Sequence, residues 1–451
     1  MRTLTPAVAT AVHVGTLARQ NGRPVPPNVM AVLDEAAAPY PGRWFLPRLP
    51  GDPIRVLEVF AGPGGWSEGM TTVLGLNVDV VGIDISKDAC ATARAAGHFR
   101  ICADVTTMDP EHYALREVSA AIFGPPCPPF SPAGKHSGRE RENIDILCRV
   151  LAQCSEAGGF CPPDDIDYEY GDDCDDPDQC EKNGYHDGFA PRSGLTWDDL
   201  RAQLAPLTDP RIGLMAEVLI WTFGMLAAGA LLEFVAMEQS HRLPQQILQD
   251  ISLELRGGQG DGVFAGGAYG VLEASEFGLA SRRERVFLIA GPSTVLQLPE
   301  APDVPVTSMA QALGWGPGER INTRGARPVD PVTGRPKGGN EFSADRPSNC
   351  LTGKARTWYR VSDGLRLTPG EAGLLVGFRP AHPWQGARSS AFQQPADVVP
   401  PIMAGAVLGA LFSYRMPNLR WQPRVTDYTA YLYRWPDLYA GLGSDDFDTA
   451  A

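Results

Sequence analysis

From Ile54 the chain settles into short apolar runs separated by helix-like segments. Ile54–Phe60 is a mainly apolar strand, carrying Arg55 and Glu58, that runs into the glycine-rich turn Phe60-Ala61-Gly62-Pro63-Gly64-Gly65. The segment after the turn, through Leu74, predicts a helix. Asp79–Ile85 predicts a second strand and Lys87–Ala96 a second helix. A third short strand ends near Asp104, and Ala120-Ala121-Ile122-Phe123 forms a fourth that runs into Cys127. Val235–Met237 leads into Glu238 as a fifth strand; Tyr269–Ala274 and Val286–Ala290 supply two more. Continuous apolar strands alternating with helices at this spacing predict an α/β fold, a doubly wound and mostly parallel sheet. The regular pattern stops at Gly291, and residues to about Pro347 are rich in Gly, Pro and Arg, which reads as a small loop-rich second domain. A helix returns at Pro401–Phe412, and the tail after Met416 carries Trp421, Tyr428, Tyr431, Tyr433, Trp435 and Tyr439, enough aromatic surface to pack on something. Residues 1–50 contain a helix around Val29–Ala37 and many prolines; no chemistry is assigned to them.

The bulk properties narrow the class. A chain of 451 residues is long enough for two or three domains. The longest apolar segment, Ile212–Ala236, is interrupted by Glu217 and Glu233 and reads as a helix followed by a strand, so no membrane span is expected. The N-terminus lacks a secretory pattern, and nine cysteines, an odd number, fit reduced thiols, so a cytoplasmic protein is expected; a monomer is expected as well. The formal net charge of −14 is unevenly spread. Residues 154–187 hold 12 acids against Lys182, a net of −11, whereas residues 320–366 hold ten Arg or Lys against four acids, a net of +6. A phosphate backbone would feel that local basic patch rather than the overall acidity.

Cys127 sits in Phe123-Gly124-Pro125-Pro126-Cys127-Pro128-Pro129-Phe130-Ser131. A thiol on a proline-stiffened loop at a strand end is pre-positioned for nucleophilic work. A lone cysteine is more often a structural one, but three further groups accompany it. The Phe60–Gly65 turn lies where open parallel sheets bind ligands, beyond the carboxyl ends of the strands. It does not match Gly-x-Gly-x-x-Gly, which argues against a dinucleotide. Asp84, at the second strand end, suits a pair of ribose hydroxyls, and Asp104, at the third, an adenine amino group. Each acid alone is an ordinary helix cap or loop residue; three successive strand ends together favour an adenosine-type site. Glu238 ends the fifth strand, and Arg283 and Arg285 stand in Ser281-Arg282-Arg283-Glu284-Arg285-Val286.

In this order these elements resemble the cytosine carbon-5 DNA methyltransferase family. The resemblance runs from about Arg55 to Leu411. It includes Arg346-Pro347-Ser348, Leu367-Thr368-Pro369-Gly370-Glu371-Ala372 and Gln394-Pro395-Ala396-Asp397-Val398-Val399-Pro400-Pro401. It implies a Rossmann-like fold that binds S-adenosylmethionine, with double-stranded DNA as partner. Phe60, Ala61, Gly62, Gly64, Gly65, Asp84, Ile85, Asp104, Val105, Pro126, Asp397 and Val399 would line the cofactor site. It implies Cys127 as the nucleophile that adds to cytosine carbon-6, and Glu238, protonated, as donor to ring nitrogen-3. Arg283 would stabilise the intermediate and hold the base, with Arg285 as its support. The target carbon is buried in the duplex, so the base must be flipped out, and the loop from Ser131 to Arg139 has the glycines and charge to close over DNA. The expected divisions are an extension (1–50), a catalytic domain (51–291), a target-recognition domain (292–395), a returning segment (396–415) and a tail (416–451).

Several positions depart from the family pattern. Glu238-Gln239-Ser240 stands for Glu-Asn-Val, Ser281 for Gln, Asp397 for Asn, and Pro128-Pro129 for Gln-Gly. The recognition segment is short, which predicts a short or permissive target. An insert from about 139 to 207 carries Cys148, Cys154, Cys161, Cys174, Cys180 and His186 amid dense Asp. Four of these could close a structural zinc site, although the spacing is not the tight paired pattern; a disordered acidic loop is the other reading. Restriction-modification and phage DNA protection both fit such an enzyme. The alternatives are a transfer RNA cytosine methyltransferase, a catalytically silent DNA-binding member of the fold, and a folate-dependent pyrimidine methylase, which the adenosine-type site argues against.

Overall fold

The computed structural model describes residues 4–131, 137–160, 194–257, 262–323, 330–334 and 340–413. Seven strands form one sheet: β1 (Ile54–Val59), β2 (Val78–Asp84), β3 (Phe99–Cys102), β4 (Val118–Phe123), β5 (Phe234–Ser240), β6 (Gly266–Glu273) and β7 (Glu284–Gly291). Their order is β3-β2-β1-β4-β5-β7-β6. The first five are parallel, and β7 is antiparallel to β5 on one side and β6 on the other. The doubly wound reading is borne out. The order reverses at β1 and β4, which opens a crevice beyond their carboxyl ends.

The apolar runs are continuous because both sheet faces are covered. In β1, Leu57 and Val59 pack into one core while Ile54 and Val56 pack into the other; β4 divides likewise, with Val118, Ala121 and Phe123 against Ala120 and Ile122. Helices Arg141–Leu151, Glu217–Ala227 and Gln245–Arg256 cover the first face. Pro401–Ser413 and the turn after β1 cover the second. The segment Pro210–Ala227 is apolar enough in composition to cross a membrane, yet 72% of it is buried inside the protein, as a core helix is.

Three differences from the sequence reading have physical causes. The helix after the glycine turn is α-helical only over Gly65–Glu68 and then widens to a π turn over Gly69–Val73, where the backbone of Pro401–Ser413 comes so close that a Cβ at Gly69 would lie 2.9 Å from Pro401 O. Residues 1–50 hold two helices, Pro6–Gln20 and Pro27–Ala37, not one. They lead to Arg43 and Trp44, which hydrogen-bond Asp79 at the start of β2, while Arg55 donates to the carbonyls of Arg43, Trp44 and Leu46. The extension therefore closes the end of the sheet opposite the crevice. Residues 292–395, expected to form a loop-rich domain, contain a small antiparallel sheet of β8 (Arg320–Asn322), β9 (Glu341–Ser343) and β10 (Tyr359–Arg360), in the order β10-β8-β9. Its Ile321, Phe342 and Trp358 join the same core as Pro401–Ser413. The tail after Met416 lies outside the described residues.

Candidate active site

A cavity of about 550 Å³ opens beyond the carboxyl ends of β1, β2 and β4. Phe60, Ala61, Gly62, Gly65, Asp84, Ile85, Asp104, Val105, Pro126, Cys127, Glu238, Asp397 and Val399 all line it. Its size and its mixture of apolar wall and few polar groups are those of a small-molecule site. A second cavity, of about 660 Å³, lies between Arg116, Trp197 and Glu111 and shares Thr106 with the first; it holds none of the groups singled out from the sequence.

The glycine turn is fastened by the second strand. Asp84 accepts from Gly62 N (2.8 Å) through Oδ2 and from Ser86 N (2.7 Å) through Oδ1. Burial pushes its carboxyl up, against the pull of those amides. Ile85 is 69% exposed despite its apolar side chain, so it offers an open apolar shelf beside the carboxylate. Asp104 spends Oδ1 on Thr106, accepting from its amide (3.0 Å) and hydroxyl (2.8 Å), and caps the short turn that follows. Phe60 has a positive φ of 59°, a rare state for a non-glycine residue that recurs at functional turns. Gly64 does not line the cavity: its φ is 107°, and a Cβ there would meet His98 and Arg100 at 3.1 and 3.2 Å. Gly65 meets the cavity through its close packing, since a Cβ would sit 2.0 Å from Val399 O.

The chemical half gathers at the ends of β4, β5 and β7. Cys127 is half-buried on its proline loop. Gln239 holds that loop: its Nε2 donates to Pro125 O (3.1 Å) and its Oε1 accepts from Ser240 N (2.8 Å). The departure from the family's Asn thus leaves the loop fixed by an amide. Glu238 is 1% exposed, and its Oε1 lies 3.0 Å from Arg285 Nε. Neither atom has a well-aligned hydrogen bond, so the contact is electrostatic. Burial raises the Glu238 carboxyl above its ordinary range, with Arg285 and then Arg283 opposing. The Cys127 thiol is pushed up to about 12, first by burial and next by the Glu238 charge, while Arg285 and Arg283 pull it down. Burial likewise raises Asp397, which accepts from Gln393 Nε2 (2.7 Å).

The structure places the two arginines in different surroundings. Arg283 is buried and donates to Ala396 O and Val398 O, both at 2.6 Å. It anchors the returning segment that carries Asp397. Arg285 is the one set against Glu238, and Cys350, which follows the small β8–β9 hairpin, also reaches it. Sequence spacing gave no sign of Cys350; a parallel bridge between Ser281 and Ser348 brings it alongside. Gln393 was missed for a different reason: its partner Asp397 is one turn on in the helix Arg388–Asp397, an element read only as a motif end.

In the acidic insert, Cys154 is buried and donates to Val150 O (3.3 Å), and Cys148 interacts with Asp250. Among the described residues no group of three or more His, Cys, Asp or Glu side chains is placed to hold a metal. The zinc reading therefore has no support; Cys161, Cys174, Cys180 and His186 lie outside the described residues, as does the centre of the loop after Ser131.

Residues 54–155 match the model of the C-5 cytosine-specific DNA methylase family. The chain is 23% identical over 396 residues to the type II methyltransferase M1.HphI of Haemophilus parahaemolyticus, covering 79% of this chain and 86% of that one. The structure of the Entamoeba histolytica methyltransferase EhMeth superposes with a TM-score of 0.50 at 12% identity, over 80% of this chain and 98% of that one. The chain shares its fold with that structure, and the match over residues 54–155 bears out the resemblance drawn from the residues.

Proposed function

We propose that this chain, of the cytosine carbon-5 DNA methyltransferase family, transfers a methyl group from S-adenosylmethionine to carbon-5 of a cytosine flipped out of duplex DNA. The observation that carries the reading is one cavity that joins an adenosine-type half (Asp84, Ile85, Val105) to a thiol and a buried acid (Cys127, Glu238).

The residues fit the donor. Asp84 keeps lone pairs for ribose hydroxyls after bonding Gly62 and Ser86, and the Ile85 shelf suits a flat apolar ring. S-adenosylmethionine, when bound, supplies a methyl group on a cationic sulfur. Carbon-5 of cytosine is too weak a nucleophile to take that methyl unaided. Attack of the Cys127 thiolate on carbon-6 turns the ring into an enamine, provided a proton reaches nitrogen-3. Cys127 and Glu238 meet both needs with one proton: moving it from thiol to carboxylate gives a thiolate and a protonated donor together. Burial raises both groups, so the shared negative charge rests on whichever Arg285 serves best. Arg285 then balances that charge, and Gln239 keeps the nucleophile's loop from drifting. A water takes the carbon-5 proton as the thiolate is expelled, and the nitrogen-3 proton returns to the Glu238 carboxylate, which completes the reaction.

The basic segment around β8–β10 supplies the charge for a phosphate backbone, and Arg283 ties the returning segment beside the cofactor cavity to the start of β7. A restriction companion, phage self-protection and regulatory methylation all fit this reaction. The test is base-resolution sequencing of plasmid from a methylation-free host expressing the chain, beside Cys127→Ala. Cytosine methylation in a defined context, absent in the variant, is expected. Soluble chain that binds S-adenosylmethionine yet leaves DNA unmarked would refute the DNA substrate.

A further inference from the structure

Two thiols outside the catalytic centre meet at the lip of the adenosine half of the cavity. Cys102 ends β3, directly opposite Asp84 of β2 in the parallel register. Cys90 sits in the helix Lys87–Ala95 that follows Asp84. Cys90 Sγ lies 3.4 Å from Asp84 O and 3.9 Å from Ile101 O, and Cys102 Sγ lies 3.8 Å from Ile85 O. The two sulfurs thus occupy one corner bounded by three carbonyls of adjacent strand ends, and the thiols interact with each other. Cys102 is exposed and Cys90 is buried. Neither has a part in methyl transfer. Two residues of that corner, Asp84 and Ile85, line the cofactor cavity.

We infer that Cys90 and Cys102 form a reversible disulfide under hydroperoxide, and that this bond weakens cofactor binding. The inference rests on the reading of the cavity as an S-adenosylmethionine site. Accessibility sets the order of events. The Cys102 thiolate attacks the peroxide O–O bond, giving a sulfenic acid at Cys102 and releasing hydroxide. Cys90 sulfur then displaces the hydroxyl, the S–S bond forms and water leaves, so the two thiols lose two electrons to one peroxide. The Cys90 thiol is held up to about 12, chiefly by burial and then by the charges of Asp84 and Cys102, while Arg94 opposes. Oxidation of Cys102 to the neutral sulfenic acid removes one of those charges just when Cys90 must react. A disulfide holds its sulfurs about 2 Å apart. Closing to that distance pulls the helix toward β3 and withdraws both S–H donors from the carbonyls of Asp84 and Ile85. The turn that aims the Asp84 carboxylate and the Ile85 shelf shifts with them.

The test uses the full chain, reduced, exposed to hydrogen peroxide, blocked with N-ethylmaleimide and mapped by peptide mass, with S-adenosylmethionine affinity measured calorimetrically on the same samples. Expected is a Cys90–Cys102 linked peptide and a cofactor affinity lower by roughly tenfold, restored by dithiothreitol. Cys102→Ser should keep its affinity through the same treatment. Recovery of Cys90 alkylated while Cys102 accumulates as sulfinic acid would overturn the pairing. A linked peptide with unchanged affinity would overturn its consequence. Failure of the reduced chain to bind S-adenosylmethionine would instead strike the reading of the cavity, and the peptide map would still decide the pairing.

Discussion

Arg283→Met separates an anchoring arginine from a chemical one. The Arg283 guanidinium is buried and its two terminal nitrogens each donate to a backbone carbonyl, Ala396 O and Val398 O, at 2.6 Å. Methionine fills much of the volume but donates nothing, so two buried carbonyls lose charged partners. Hydrogen bonds to charged groups contribute about 1.5–3 kcal/mol each, which makes the loss about 3–6 kcal/mol. Replacing a buried ion pair by apolar side chains can be harmless, but here the partners are carbonyls that cannot be removed with the charge. Against a total stability of about 5–15 kcal/mol, such a loss is readily measured. The assay is urea denaturation followed by tryptophan fluorescence, since Trp66 packs edge-on against Phe287 of β7. The midpoint should fall steeply, and cofactor affinity should fall with it because Asp397 and Val399 hang from the anchored segment. Arg285→Met should instead cost less stability, its partner Glu238 being readily neutralised, while abolishing methyl transfer. An Arg283→Met protein within about 1 kcal/mol of the parent, with unchanged affinity, would refute the assignment.

Asp397→Asn removes a negative charge that raises the Cys127 thiol, so alkylation of Cys127 by iodoacetamide should become faster and its pH profile should move to lower pH; an unmoved profile would show that the carboxylate is screened from the thiol. Gln239→Ala frees the carbonyl of Pro125 and should lower turnover about tenfold or more through a misplaced thiol, with DNA affinity intact by gel shift. Acid should destabilise the fold in two stages. His382 is held down to about 4, chiefly by burial, so its stabilisation is complete above the ordinary histidine value near 6.5 and is lost as pH falls from there to 4. Glu68 is held down to about 2: burial raises it, but bonds from His98 and Thr72 prevail, so its contribution is lost from about 4.5 downward. Thermal melting of His382→Leu should show the first stage flattened and the second kept.

Much of this site was legible because its residues stand at strand ends, and strand ends are marked where an apolar run stops. Ile54–Val59 and Val118–Phe123 are buried at every position, and the turns after them carry Gly62 and Cys127. Pairing was less legible. Nothing in the Glu284–Gly291 run says that it enters between β5 and β6 in the antiparallel sense, and that insertion decides which arginine faces Glu238. Arg283 precedes the strand and turns to the returning segment, while Arg285 lies within it, in register with Ser240. The strands β8–β10 are two or three residues long, too short for a period-two pattern to register. The helix Pro6–Gln20 is built mainly of Ala, Val and Thr with few large apolar residues, so its apolar periodicity is weak even though Thr5-Pro6 marks its start.

The central claim is that Cys127 adds to carbon-6 of a cytosine in DNA. Duplex carrying 5-fluorocytosine across its cytosines tests it directly, because fluorine at carbon-5 cannot leave as a proton does and the adduct cannot resolve. With S-adenosylmethionine present, a denaturation-resistant protein–DNA band should appear, its mass should equal chain plus methylated oligonucleotide, and peptide mapping should place the link on Cys127. No band from chain that binds both DNA and S-adenosylmethionine, or a band that survives Cys127→Ala, would contradict the account.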